Sequence, residues 1–504
     1  MRKKLIFSIL AFCIGLLILE TLAWVVEYRI DHRRAGKIPG PGWQNEFFKS
    51  FLDWHECDPD LLWRFRADLN NPLITTDSEH LLGKTRPGPK DENSFRILLL
   101  GDSSPVGLGL KSRNHAFGEL LQQFLELEYH GNRKFELVNA AVSGYTSEQI
   151  RRLLELRGWS YQPDLILLYC GNNDASISGA YYDRELLERQ KLKICRRLLS
   201  KSALYRVMVN LLTTGEKNKT PDARKYKVRV TPEQFGENLA DIVDQCQTND
   251  CPLIILKPPA PKLWPAGLQF RVLHHIRNEH NELIFPDKLR RVLGRPLKYC
   301  LSPERFRQLY GEGDIFTGNV YASAFRDSMT ADSAIDFYTK QHAAQPRDPI
   351  PANNLGVSYW EQGDYARADT LLKIARELYI QKHAKTAIPI IDAAGSPFLY
   401  NIGINLLSTS PADSLLPDTA SDACIYLDSA LQADFLSLRI KRTYQNIIDS
   451  FGAVNGVHII DLPHIFYTND AEKLFFDHCH PTIEGHRLIA ENIAAAVMEN
   501  SLVK

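Results

Sequence analysis

A chain of 504 residues that is 44% hydrophobic and 24% charged has room for two or more domains and can bury a sizeable core. Its 60 Lys and Arg balance 60 Asp and Glu, so no global field recruits nucleic acid, and no basic patch interleaved with aromatics changes this. Nucleic acid is therefore not an expected partner.

The first element is apolar from Leu5 to Val26 except for Ser8, Glu20 and Thr21. At about 1.5 Å per residue a helix of that length covers a hydrocarbon core of about 30 Å, which predicts one N-terminal transmembrane helix. No small-x-small site follows Leu22, which argues against a cleaved signal peptide, and bulky Phe12 before Cys13 argues against a lipoprotein site. Arg2, Lys3 and Lys4 precede the stretch and Arg29, Arg33, Arg34 and Lys37 follow it, so the positive-inside bias does not decide the orientation. Long domains translocate regardless, and an extracytoplasmic body is the expectation. The cysteines beyond Cys13 lack paired C-x-x-C spacing. Cys246 and Cys251 are the best disulfide candidates, with free buried thiols an equal alternative.

From Asp31 to Asn93 the chain is irregular and rich in Pro, Gly and aromatics, which suggests a juxtamembrane segment packed on the main domain; it carries no readable motif. The run Arg96-Ile97-Leu98-Leu99-Leu100 is apolar without alternation, as in a strand buried on both faces of a parallel sheet. It closes on Gly101-Asp102-Ser103. Ligands of open α/β sheets bind beyond the carboxyl ends of the strands, so Ser103 stands where a nucleophile would be presented, a polar turn being the other reading. Gly107 and Gly109 lack a third glycine three residues on, and Leu110 precedes Lys111-Ser112, so neither a dinucleotide fingerprint nor a phosphate loop is completed.

A helix over Phe117–Leu127 and a strand over Phe135–Asn139 come next. Thr146 reads as the cap of a helix through Leu156, and the strand Asp164–Cys170 ends in Gly171-Asn172-Asn173-Asp174. Tyr181 to Leu212 is a basic amphipathic region, read as a surface helix pair. Thr231-Pro232-Glu233-Gln234 is a capping box opening a helix to Gln245. Strands follow at Pro252–Lys257 and Val457–Asp461.

The gap between those strands predicts an inserted domain. Leu355, Gly356, Tyr359, Gly363, Ala368, Leu372 and Ala375 resemble one tetratricopeptide repeat, and the phase extends back by 34 residues to Phe325, Ala334 and Tyr338. Repeats over Asp314–Arg347 and Asp348–Gln381 are expected, with a stretched third around Gly403, Ala423, Leu427 and Ala430. The C-terminal block reads Asp477-His478-Cys479-His480-Pro481, before a last helix with Ile489, Ile493 and Val497 on one side. A metal reading of that block ranks low because neighbouring side chains are expected to diverge.

Gly101-Asp102-Ser103, Asn139 with Gly144, Gly171-x-Asn173-Asp174 and Asp477-x-x-His480-Pro481, in this order, resemble the four blocks of the SGNH (GDSL-type) hydrolase family. The resemblance covers about Phe95 to Lys257 and Phe435 to Asn500. Ser104 and Ala141 depart from the family pattern without removing a reacting group. The resemblance implies a flavodoxin-like α/β fold, a parallel sheet with helices on both faces. It also implies a Ser103 nucleophile, a His480 base oriented by Asp477, and an oxyanion hole of Ser103, Gly144 and Asn173, with no cofactor and no metal. A Ser hydroxyl needs a base to become nucleophilic, and the developing oxyanion needs fixed donors, so a carboxyl ester is the expected electrophile.

The expected layout is an anchor over 1–34, a juxtamembrane segment over 35–94, a hydrolase domain over 95–312 and 434–504, and a helical insertion over 313–433. The expected substrate is an acylated envelope glycan or lipid, with the membrane and a protein on the repeats as partners. An O-acyltransferase using the same acyl-enzyme and a non-catalytic repeat scaffold are the rivals.

Overall fold

The computed structural model describes residues 2–35, 53–70, 74–83, 88–179, 181–191, 202–205, 207–208, 226–266, 294–298, 330–384, 389–410, 421–435, 438–454, 456–500 and 502. In the segment without a motif, β1 (His55–Asp58) and β2 (Leu62–Phe65) form an antiparallel hairpin. The apolar runs give β3 (Ser94–Gly101), β4 (Lys134–Asn139) and β5 (Leu165–Tyr169). A short antiparallel pair, β6 (Ile177–Gly179) and β7 (Lys227–Val228), precedes β8 (Leu253–Lys257) and β9 (Val457–Asp461).

β3, β4, β5, β8 and β9 form one parallel sheet in the order β4-β3-β5-β8-β9. Counted within the sheet this is 2-1-3-4-5, the flavodoxin-like order, in which the order of strand addition reverses between the first and third strands. That crevice opens between the ends of β3 and β5, where Ser103 and Asn173 lie.

The unbroken apolar runs follow from burial on both sides. Leu98, Leu100, Ile166 and Leu168 face a core that includes Ile150 and Leu154 of the helix Ser147–Leu156 and Phe235 and Leu239 of the helix Pro232–Thr248. Ile97, Leu99, Leu165 and Leu167 face the opposite core, built on Phe117 and Leu121 of Phe117–Glu128 and on Ile489, Ile493 and Val497 of Ile483–Glu499. Each fully buried side chain of this kind contributes about 1.5–3 kcal/mol, so two filled faces fix the register of the central strands. The hairpin joins the first core through Leu61 and Phe65.

Between β8 and β9 lie the helices Ala331–Ala344, Pro349–Glu361, Tyr365–His383, Pro389–Leu407 and Asp422–Ala433. Small residues let them approach: a Cβ on Gly356 would lie 2.9 Å from Leu372 Cγ, and one on Gly403 2.7 Å from Leu427 Cγ. The second expected repeat occupies the pair Pro349–Glu361 and Tyr365–His383, while residues 314–329 of the first lie outside the described residues. These helices are not cleanly separate from the part that carries the sheet. Tyr400, Ile404, Leu427 and Ala430 share a cluster with Trp264, and Phe476 packs against it.

The N-terminal stretch forms a helix, Arg2–Ala35. Among the described residues, however, no helix is long and apolar enough to cross a membrane, so the predicted span is not shown. Within this helix the Glu20 carboxylate accepts from Ser202 Oγ at 2.6 Å, from Leu204 N at 3.2 Å and from Ala203 N. Of the predicted basic helix pair, Asp183–Lys191 is described as a helix; residues 192–201 and 209–212 lie outside the described residues. Cys246 and Cys251 are free buried thiols, and the disulfide alternative is set aside.

Candidate active site

The end of β3 turns sharply because Gly101 permits it: a Cβ there would lie 2.5 Å from Pro105 Cγ and 2.8 Å from Tyr169 O. Asp102 then caps the one-turn helix Ser103–Val106, accepting from Ser104 N at 2.9 Å, and its second oxygen accepts from Asn172 Nδ2 at 3.2 Å. Burial pushes the Asp102 carboxyl up to about 6 against these hydrogen bonds and the nearby His480. Ser103, so placed, remains partly exposed.

The C-terminal block meets it from the other end of the chain. His480 Nε2 is hydrogen-bonded to Ser103 Oγ at 2.7 Å, and His480 Nδ1 to Asp477 Oδ2 at 2.7 Å. Asp477 Oδ1 accepts the backbone N–H groups of Cys479 and His480 at 2.9 and 2.8 Å, so the carboxylate is held on both oxygens. Phe476 N donates to His480 O at 2.9 Å and Thr482 N to Leu474 O at 2.8 Å, which closes the loop and fixes the imidazole. The ring of His478, next to His480, lies 5.6 Å from that of the buried Trp264. The helical insertion thus packs indirectly on the histidine loop.

The four side chains Asp477, His478, Cys479 and His480 do not diverge as expected: their ligand atoms lie within 4.8 Å of one another. Both His480 nitrogens are already engaged by Asp477 and Ser103, and a metal would have to break those bonds. Burial raises the Cys479 thiol well above its ordinary value, which keeps it neutral.

Gly144 sits after β4 with φ +81, a left-handed conformation that suits glycine. Asn139 ties that strand end to the nucleophile turn by donating from Nδ2 to Pro105 O at 3.1 Å. Asn173 is buried after β5 and donates from Nδ2 to Tyr145 O at 2.9 Å, leaving its second amide hydrogen free of that bond. Gly171 has φ +120, and a Cβ there would meet Ile440 Cδ1 at 2.5 Å. The structure therefore gathers all five expected residues, Ser103, Gly144, Asn173, Asp477 and His480, at the carboxyl ends of the sheet.

Two groups that sequence reasoning missed support this floor. Arg229 donates to Gly144 O at 2.7 Å while paired with buried Asp183 at 2.7 Å. Trp63 of β2 donates from Nε1 to Ser143 O at 3.0 Å. Both bind backbone carbonyls, which leave no mark in a sequence.

Asp174 follows Asn173 and is fully buried. Its Oδ1 accepts from Ser147 N and Oγ at 3.0 and 2.5 Å, and its Oδ2 has no partner among the described residues. Burial pushes this carboxyl up to about 7, outweighing the Ser147 bonds and the charge of Arg229. The unfolded chain ionises it near 3.8, so the folded state binds the extra proton between the two values. The stability from this group is complete below the unfolded value and is lost as pH rises through about 7. Asp174→Asn, uncharged throughout, is expected to flatten the fall in unfolding midpoint between about pH 4 and about pH 7, measured by thermal denaturation. A slope identical to the parent's would show that Asp174 does not carry this dependence.

Residues 97–282 match the family described as GDSL-like Lipase/Acylhydrolase. No curated protein matches the chain. Among solved structures, TesA is 20% identical over 33% of this chain and 62% of its own, with a TM-score of 0.21. The psychrotrophic esterase EstA from Pseudoalteromonas sp. is 19% identical over 34% and 62%, with a TM-score of 0.20. The acetyl xylan esterase AlAXEase is 11% identical over 80% and 100%, with a TM-score of 0.30. The chain thus spans 62% of the length of TesA and of EstA.

Proposed function

We propose that this chain, whose residues 97–282 match the family of GDSL-like Lipase/Acylhydrolase, is a serine esterase that cleaves a carboxyl ester through an acyl-enzyme on Ser103. The single observation that carries the mechanism is the relay of two 2.7 Å hydrogen bonds from Ser103 Oγ through His480 to Asp477. His480 Nε2 takes the Ser103 proton as Oγ attacks the acyl carbon, and Asp477 stabilises the imidazolium and holds the ring. The carbonyl oxygen becomes an oxyanion, received by the N–H groups of Ser103 and Gly144 and the free amide hydrogen of Asn173. His480 then protonates the leaving alkoxide. Water, activated by the same imidazole, attacks the acyl-enzyme and releases the acid and free Ser103.

The proposed substrate is an acyl ester on an envelope glycan or lipid. Its support is the helix Arg2–Ala35, on which Phe7, Leu10, Leu17, Leu22 and Trp24 are all exposed, an apolar surface suited to a lipid phase. A tetratricopeptide-type role for the helices between β8 and β9, recognising the ester's carrier or a protein partner, belongs to the same proposal.

A panel of acyl esters on sugars, lipids and peptides, offered to the full chain in membrane and soluble fractions, tests the reading. Mass spectrometry after a fluorophosphonate should place the label on Ser103, with activity unchanged by EDTA. A label elsewhere, or activity that zinc restores after EDTA, would overturn the mechanism. Transfer of the acyl group to an added sugar in preference to water would make the enzyme an acyltransferase.

A further inference from the structure

We propose that Trp63 is a positioning residue for the oxyanion-binding peptide of this enzyme, supplied by a hairpin that precedes the family-like residues. The proposal rests on the esterase reading above. The loop Ser143-Gly144-Tyr145 presents three consecutive carbonyl oxygens, and each accepts an N–H from a different part of the chain. Trp63 Nε1 donates to Ser143 O at 3.0 Å, Arg229 Nη1 to Gly144 O at 2.7 Å, and Asn173 Nδ2 to Tyr145 O at 2.9 Å.

The first of these has a particular consequence. A peptide unit is planar and trans, so the Ser143 carbonyl and the Gly144 N–H are opposite edges of one rigid plate. Holding the oxygen edge aims the hydrogen edge. A hydrogen bond accepted by the carbonyl also polarises the amide and strengthens its N–H as a donor. Trp63 therefore acts on the Gly144 donor through the plate, without touching the reacting atoms.

The grip is fixed from both sides. Tyr145 donates its hydroxyl to Trp63 O at 2.6 Å, so Trp63 donates to Ser143 of this loop and accepts from Tyr145 of it. The two rings meet edge to face at 5.9 Å, and the Arg229 guanidinium stands 5.3 Å from the indole centroid. A Cβ on Gly144 would lie 3.3 Å from Trp63 Cζ2, so the indole rests directly on the glycine. Trp63 lies ahead of residue 97, where the family match begins, so the matched residues do not supply this contact themselves.

Trp63→Phe keeps an aromatic ring and deletes the N–H. With rates normalised to sites titrated by a fluorophosphonate, kcat on p-nitrophenyl acetate is expected to fall about tenfold, less than the 10²–10³ of removing an oxyanion donor outright. KM should stay within about twofold, since ground-state binding is untouched. Affinity for a small alkyl boronic acid, which forms a tetrahedral adduct on Ser103, should fall by the same factor as kcat. Unchanged kcat and boronate affinity would overturn the proposal, even with a lowered unfolding midpoint, because Trp63 would then only pack the hairpin. The same assay on Ser103→Ala separates the two ideas: surviving activity there sinks the esterase reading itself.

Discussion

Ser103→Ala and His480→Ala are each expected to lower kcat by about 10⁶, and the double variant to be no worse than either single one, because nucleophile and base act as a unit. The geometry behind this is the 2.7 Å bond between His480 Nε2 and Ser103 Oγ: without the imidazole the hydroxyl keeps its proton, and without the hydroxyl the imidazole has nothing to activate. Steady-state rates on an activated ester, after treating preparations to remove traces of parent enzyme, read the effect. Multiplicative losses in the double variant would mean that the two residues serve different steps.

Asn173→Ala is expected to cost about 10² to 10³ in kcat at nearly constant KM, the loss of one preorganised donor. One amide hydrogen holds Tyr145 O, and the proposed mechanism assigns the other to the oxyanion. Asn172, the neighbour in sequence, differs in kind. It donates to Asp102 and accepts from Ile440 N at 3.2 Å, so Asn172→Ala should lower the unfolding midpoint by loosening the nucleophile turn. A kcat loss confined to Asn172→Ala would transfer the oxyanion role away from Asn173.

The strands of the main sheet were legible because each is a short apolar run closed by glycine or a polar cluster, and two-sided burial demands that pattern. Asp477 and His480 were singled out because Asp477-x-x-His480-Pro481 resembles the last block of the family, and their side chains do meet, at 2.7 Å. The hairpin β1–β2 was not, since Trp63 acts through an indole N–H on a backbone oxygen and any residue can supply a carbonyl. Arg229 escaped for the same reason, being one basic residue among many until its bond to Gly144 O is seen. Helices between β8 and β9 were expected from small residues at a fixed phase, but their sharing of a cluster with Trp264 depends on tertiary packing that periodicity does not encode.

Ser103 and His480 are 377 positions apart in the chain. At about 5–20 residues per second of synthesis, the nucleophile emerges on the order of half a minute before its base. Through that interval β8 waits as an open edge for β9, since the pair Leu253–Val457 cannot form until the whole helical insertion has been made. A ribosome that stops anywhere in the insertion releases a chain with a serine in place and nothing to activate it. The hydroxyl of Ser103 has no base beside it until β9 and the histidine loop that follows it have been made.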